Sequence, residues 1–118
     1  MKFGTYLTNA EVEGIFELTN EGKVLYSQFR QHNRMLAAGP ELIGHNFFEE
    51  VVDFDNVGDF RQLVGRFVES RLTVDSFFFD CRYGEKTVPV RVMLLRAFEN
   101  RYPNYPDIII LDIRNTVY

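Results

Sequence analysis

Tryptophan is absent from this chain, cysteine occurs once, at Cys81, and histidine only twice, at His32 and His45. Each scarcity removes a class of explanation. One cysteine excludes a disulfide framework within the chain and fits a reducing compartment. Two histidines with no further ligands at workable spacing leave no zinc site to draw. No apolar run is long enough to span a bilayer, and the opening MKFGTYLTNAEVEG lacks the apolar core of a secretion signal. Lysine and arginine total 13 against 17 acids, for a net charge of -4, so the basic face of a nucleic-acid-binding domain is not expected. These absences point to a soluble cytoplasmic domain with no nucleic-acid or membrane partner.

Phenylalanine is abundant instead: 12 Phe and 6 Tyr in 118 residues imply a core built on rings. The longest helical signal follows Asn56, where Val57, Phe60, Leu63, Val64, Phe67 and Val68 repeat on a 3.6-residue period. Asn56 is the expected N-cap, and Arg71 the cation beyond the last turn. Such a stripe needs a sheet to lie on. Ile15–Thr19 and Lys23–Ser27 read as a hairpin about Asn20-Glu21-Gly22. Gln28 to Ala38 is a polar, helix-tolerant run. Thr73–Tyr83 alternates, with Phe77, Phe79, Cys81 and Tyr83 on one face. Thr87–Phe98 places Val88, Val90, Val92 and Leu94 inward, and Ile108–Ile113 reads as the last strand. The order predicts an α+β domain over residues 14–118: a five-stranded antiparallel sheet with its helices on one face, after a lead-in of residues 1–13.

Several strings then resemble the PAS sensor family over nearly the whole chain. They are Ile43-Gly44-x-Asn46-Phe47-Phe48-x-Glu50-Val51, Phe60 and Phe67 on the helix, Phe77-x-Phe79-x-Cys81-x-Tyr83, and Val88-x-Val90-x-Val92. Within that family the chain is most similar to the photoactive yellow proteins. Those attach a chromophore through a cysteine, and the matching position here is Phe54, which excludes the thioester. Flavin-binding LOV domains carry Gly-x-Asn-Cys-Arg, whereas Gly44-His45-Asn46 is followed here by Phe47, so a flavin adduct is excluded too. Haem-binding members use a histidine on the long helix, and residues 57–70 contain none. The resemblance thus implies a PAS-type fold without a cofactor. Asp112-Ile113-Arg114 resembles the Asp-Ile-Thr ending of many members, which marks Asp112 and Arg114 as signal output, with Arg departing from the usual Thr.

No catalytic constellation is visible. The chain has no Gly-x-Ser-x-Gly, no P-loop and no histidine beside a nucleophile, so no enzyme is expected. Cys81, on the inward face, should behave as a small buried hydrophobe. Glu49-Glu50 reads as a solvated face, and His45 as an exposed histidine at a helix start. Two features remain. Tyr26, Phe48, Phe54, Phe60, Phe67 and Phe79 could line an aromatic cavity for an apolar or planar small molecule, or fill it themselves. Phe78, Met93 and Leu95, with Ile109 and Leu111, make the outer sheet face apolar, and such a patch needs a cover: the N-terminal segment, a second copy or a partner. The leading expectation is a regulatory domain acting through protein contact, as a homodimer or docked to a separate signalling protein. The alternative is a small-ligand sensor. No effector segment follows Tyr118, so the chain is expected to be a piece of a longer signalling protein or to work on a separate partner.

Overall fold

Alternation of apolar and polar residues lays down long strands, and one helix covers the apolar side they share. The structure, a computed structural model, describes residues 13–31, 34–37, 42–97 and 107–116. Within them run β1 (Gly14–Leu18), β2 (Val24–Gln31), β3 (Arg34–Ala37), α1 (Val57–Glu69), β4 (Val74–Tyr83), β5 (Lys86–Ala97) and β6 (Ile108–Asn115). A single π-helical turn, Phe47–Val51, precedes α1. The strands form one antiparallel sheet in the order β3-β2-β1-β6-β5-β4. The five-stranded α+β architecture is there, in strands β2-β1-β6-β5-β4. A short sixth strand, β3, extends one edge and overturns the helix-tolerant reading of Gln28–Ala38. β2 runs on to Gln31 and pairs back from Gln31↔Arg34 to Gln28↔Ala37. Local helix propensity is a weak preference that strand pairing overrides. The lead-in lies outside the described residues except for Glu13, as does His32.

Register settles which residues face the helix. Phe77↔Val92, Phe79↔Val90 and Cys81↔Val88 pair on the inner face, as alternation predicts. Leu94↔Leu111 and Val92↔Ile113 carry that face to β6, and Leu18↔Ile109 and Phe16↔Leu111 carry it to β1. Ile109 and Leu111 are therefore inner residues, 1% and 0% exposed, and do not belong to the outer surface assigned to them. Their neighbours Ile108 and Ile110 point the other way. Tyr26 is corrected in the opposite sense. A bulge shifts the β1–β2 register, so that Val24 pairs with Leu18 but Tyr26 with Glu17. The unpaired Leu25 reverses the alternation, and Tyr26 lands on the outer face, away from the rings.

α1 buries Phe60, Val64 and Phe67 against the sheet, with Val57 and Val68 packed at the margin. Burying large apolar side chains is worth about 2 kcal/mol each, so this stripe rather than helix propensity holds α1 in place. Two tight turns need glycine. Gly84 (φ +64) opens the two-residue β4–β5 hairpin. Gly22 (φ +97) closes the β1–β2 turn, where an added Cβ would come within 2.9 Å of the Phe48 ring.

Candidate functional site

Four places carry the chemistry of this molecule: the ring layer, the capped turn before α1, the two ends of α1, and the outer sheet face.

In the ring layer, Phe60 is surrounded by Phe47, Phe48, Phe54, Phe77 and Phe79 at centroid distances of 5.2 to 6.4 Å. Most of these contacts are tilted or edge-to-face, the favourable arrangement for aromatic pairs. Phe54 also meets Phe79 and Tyr83. Of the six residues named for a cavity, Phe48, Phe54, Phe60 and Phe79 are brought together, and their rings occupy the space between α1 and the sheet. Phe67 is buried beside them but turns to Arg96, whose guanidinium carbon lies 5.1 Å from its ring centre. Tyr26 is on the far side of the sheet. Cys81 sits at the edge of this layer, 1% exposed. Burial, with a smaller contribution from the Asp80 charge, pushes its thiol up to about 12. Burial likewise pushes the Tyr83 hydroxyl up. These are inert groups of an apolar interior.

The Gly44-His45-Asn46-Phe47-Phe48 string forms the junction between the β1–β2 hairpin and the helical side. The Asn46 side-chain oxygen accepts from the Phe48 and Glu49 amides at 3.0 and 3.2 Å, capping the π turn. Its Nδ2 donates to the Glu21 carbonyl at 3.0 Å. Glu50 completes a reciprocal cap by accepting the Asn46 amide at 2.8 Å, and it pairs with His45 Nδ1 at 3.2 Å. The Asn46 amide first, and then His45, hold the Glu50 carboxyl below its usual range. Glu50 and His45 thus have local tasks that the solvated-face and exposed-histidine readings missed. Exposed Glu49 pairs with Arg61 at 3.2 Å, and Arg61 lies over the Phe48 ring.

The ends of α1 are tied to different strands. Asn56 does not cap the helix with its side chain. Its Oδ1 accepts the Arg82 amide at 3.0 Å and its Nδ2 donates to the Asp80 carbonyl at 2.8 Å, so it pairs with the β4 edge as a strand residue would. Asp55 adds two bonds, its amide to the Arg82 carbonyl at 2.6 Å and its Oδ2 from the Gly84 amide at 2.7 Å. At the other end the cation is Arg96, not the exposed Arg71. Arg96 Nη2 reaches the carbonyls of Phe67, Val68 and Ser70 at 2.6, 3.1 and 3.2 Å, and Nε reaches that of Leu72 at 3.1 Å. Nη1 faces Asp107 at 3.4 Å. Phe67, Val68 and Ser70 stand at the helix C-terminus, where carbonyls lack onward helical partners and a cation suits the dipole, and Leu72 lies just beyond it. The signal was in the sequence: Arg96 has the inward parity of Val90, Val92 and Leu94, and an inward arginine needs an assembly of acceptors.

On the outer face Phe78 is 76% exposed and Leu95 37%. Val74, also exposed, stands opposite Leu95, and Leu95 stands opposite Ile110, while half-buried Met93 lies between Ser76 and Asp112. The patch is thus Phe78, Met93 and Leu95, as expected, with Val74 and Ile110 in place of Ile109 and Leu111. Asp112 and Arg114 project on the same face and pair with each other at 3.2 Å. Two partly open hollows lie at the surface. One, of about 330 Å³, wraps β4 at Phe78, Asp80 and Arg82. The other, of about 210 Å³, lies between Glu21 and Arg61. Among the described residues, no group of three or more His, Cys, Asp or Glu is placed to hold a metal, and no helix is long and apolar enough to cross a membrane.

No family model matches the chain, and no curated protein sequence does. In three dimensions the chain is similar to the PAS domain of BvgS from Bordetella pertussis, with a TM-score of 0.53 at 12% identity. The match covers 90% of this chain and 78% of that one. At that identity the likeness speaks for the backbone alone, and what it shows is that the chain has a PAS-like fold.

Proposed function

We propose that this chain is a non-catalytic regulatory domain of PAS type that works through protein contact on its outer sheet face. One observation carries the reading. A sheet face turned to water is ordinarily polar, yet here Val74, Phe78 and Leu95 stand exposed beside Met93 and Ile110. The occupant that best fits is a second copy of the chain. The same face bears both signs of charge, from Asp80, Arg82 and Arg91 to Asp112 and Arg114. A two-fold partner can set each sign against its opposite. Asp112 and Arg114, at the end of β6 and beside this patch, are the proposed output residues.

The test is the solution mass of the Leu95→Glu and Phe78→Glu variants, followed by light scattering over a range of concentrations. Both positions are solvent-facing, so the fold should persist by circular dichroism while the dimer dissociates. A wild-type protein that is monomeric at every concentration favours a separate signalling partner over a second copy. Variants that keep the mass of a dimeric wild type remove this face from the reading.

The alternative, a sensor for an apolar or planar small molecule, has less support because the rings of Phe48, Phe54 and Phe79 all lie against Phe60. It predicts a thermal shift with such a molecule and displacement of Phe54 or Phe60.

A further inference from the structure

Arg96, on strand β5, binds both the end of α1 and the connection to β4. Its side chain is 9% exposed. Besides the four carbonyls its guanidinium meets, its backbone amide donates to the Thr73 carbonyl at 2.9 Å. The connection from Ser70 to Thr73 is thus strung along Arg96: Ser70, Leu72 and Thr73 each give it a carbonyl. Three local bonds complete the segment: the Ser70 amide and Ser70 Oγ both donate to the Phe67 carbonyl, and the Leu72 amide donates to Ser70 Oγ.

The position of Arg96 along β5 matters as much as its partners. The residue before it is Leu95, on the open outer face opposite Val74, and Val74 begins the strand into which the connection leads. Side chains of adjacent strand residues point to opposite faces, so Leu95 and Arg96 form a lever through the sheet. A twist of β5 that seats Leu95 against a partner moves the guanidinium relative to carbonyls as close as 2.6 Å. Hydrogen bonds weaken steeply with misalignment, so a small rotation changes this cluster. The opposite end of α1, held by Asp55 and Asn56 to β4, has no bond to β5 among those the structure gives it.

We propose that Arg96 is a latch through which occupation of the outer sheet face sets the order of the last turn of α1 and of residues 70–73. This rests on the contact reading given above, and names the device by which contact is conveyed to the helical side. Arg96 acts as a positioning residue. Closed, it aligns the helix end with β5; released, it frees that turn while the ring layer keeps the rest of α1 in place.

Hydrogen–deuterium exchange tests it, on the full chain, as wild type, Arg96→Met, Arg96→Lys and Leu95→Glu. The latch predicts that Arg96→Met speeds exchange of the amides from Phe67 to Thr73 at least about tenfold and leaves Phe60 to Val64 nearly unchanged, since local opening is separable from global unfolding. Arg96→Lys should recover only part of the protection, because one ammonium cannot span the carbonyls a planar guanidinium meets. Leu95→Glu, which keeps Arg96 and leaves the outer face open with the cluster closed as it is here, should slow exchange of the same amides relative to the associated wild type. Uniform acceleration across α1 and the sheet in Arg96→Met would make Arg96 a simple stabiliser and overturn the latch. If Leu95→Glu loses the dimer yet leaves residues 67–73 unchanged, the contact reading stands and the coupling fails. If the wild type is a dimer and Leu95→Glu keeps its mass, both fall.

Discussion

Both faces of this sheet carry large apolar residues, and those residues do opposite things. Inside, Phe16, Val90, Val92, Leu94, Leu111 and Ile113 are almost completely buried, and the rings of Phe54, Phe60 and Phe79 lock over them. Outside, Phe78 and Leu95 are as apolar but face water. Hydrophobicity alone does not say where a residue goes; register and the placement of α1 decide. α1 covers the inner face, and most of the buried apolar residues of the strands lie under it, Ile108 on the outer parity being an exception. The exposed rings are then the informative ones, because an uncovered apolar patch is rarer in a stable domain than a filled core.

The sharpest way to break this comparison is to truncate one ring on each side. Phe60→Ala removes the centre of the ring layer and leaves a void among five neighbouring rings. It should cost about 3 to 5 kcal/mol in urea denaturation. Phe78→Ala should stay within about 0.5 kcal/mol of wild type in the monomer, since little apolar surface leaves water there on folding. Comparable losses at the two positions would mean that the outer patch is part of the core.

The inner face was largely legible from sequence, and the reason is local. Asp80 and Arg82 in β4 and Arg91 in β5 mark the polar parity, so Phe77, Phe79, Cys81, Val88, Val90 and Val92 declared their side. The stretch Ile108-Ile109-Ile110-Leu111 has no such contrast. Its parity comes only from pairing with Leu18, Phe16 and Leu94, which no window of sequence contains. Tyr26 was misplaced for a related reason: one unpaired residue, Leu25, reverses the alternation, and a bulge of that kind leaves no mark in composition. The aromatic cluster was legible as a set of rings but not as a filled space, since whether rings meet or line a hollow depends on how closely α1 approaches. Asn56 and Arg96 were misread or missed because their partners are backbone groups of other elements. A capping amide in sequence is equally well an amide that pairs with a strand edge.

A chemical probe separates the faces at intermediate strength. Cys81 faces inward on β4, and burial pushes its thiol up to about 12. Ser76 lies on the same strand with the opposite parity and is exposed. Near neutral pH, a thiol reagent should label Ser76→Cys in a Cys81→Ala background of the monomer at the rate of a free cysteine. Wild-type Cys81 should react more slowly by a factor on the order of 100 or more, the thiolate being the reactive form. Addition of denaturant should equalise the two. Fast labelling of native Cys81 would show that the ring layer opens readily.

The smallest effect belongs to the rim, where neither face dominates. Glu50 holds the Asn46 amide and His45 together at a partly exposed junction, and both lower its carboxyl affinity for protons. A carboxylate whose folded value is depressed stabilises the fold above its unfolded value, and that contribution fades as pH falls through the folded one. Wild type should therefore lose some stability between about pH 6 and about pH 3 through this group, and Glu50→Gln should lose less over the same window. The comparison is read from urea midpoints at each end of the range. The difference should be small, because solvent screens an exposed pair and its amide bond is open to competition from water. If Glu50→Gln shows the full wild-type slope, the junction is held by Asn46 and the packing of Phe47 and Phe48, and Glu50 only decorates it. If the slope flattens, the charge at Glu50 helps hold the turn that delivers those two rings to the core, and the inner face depends in part on a contact made at its wet margin.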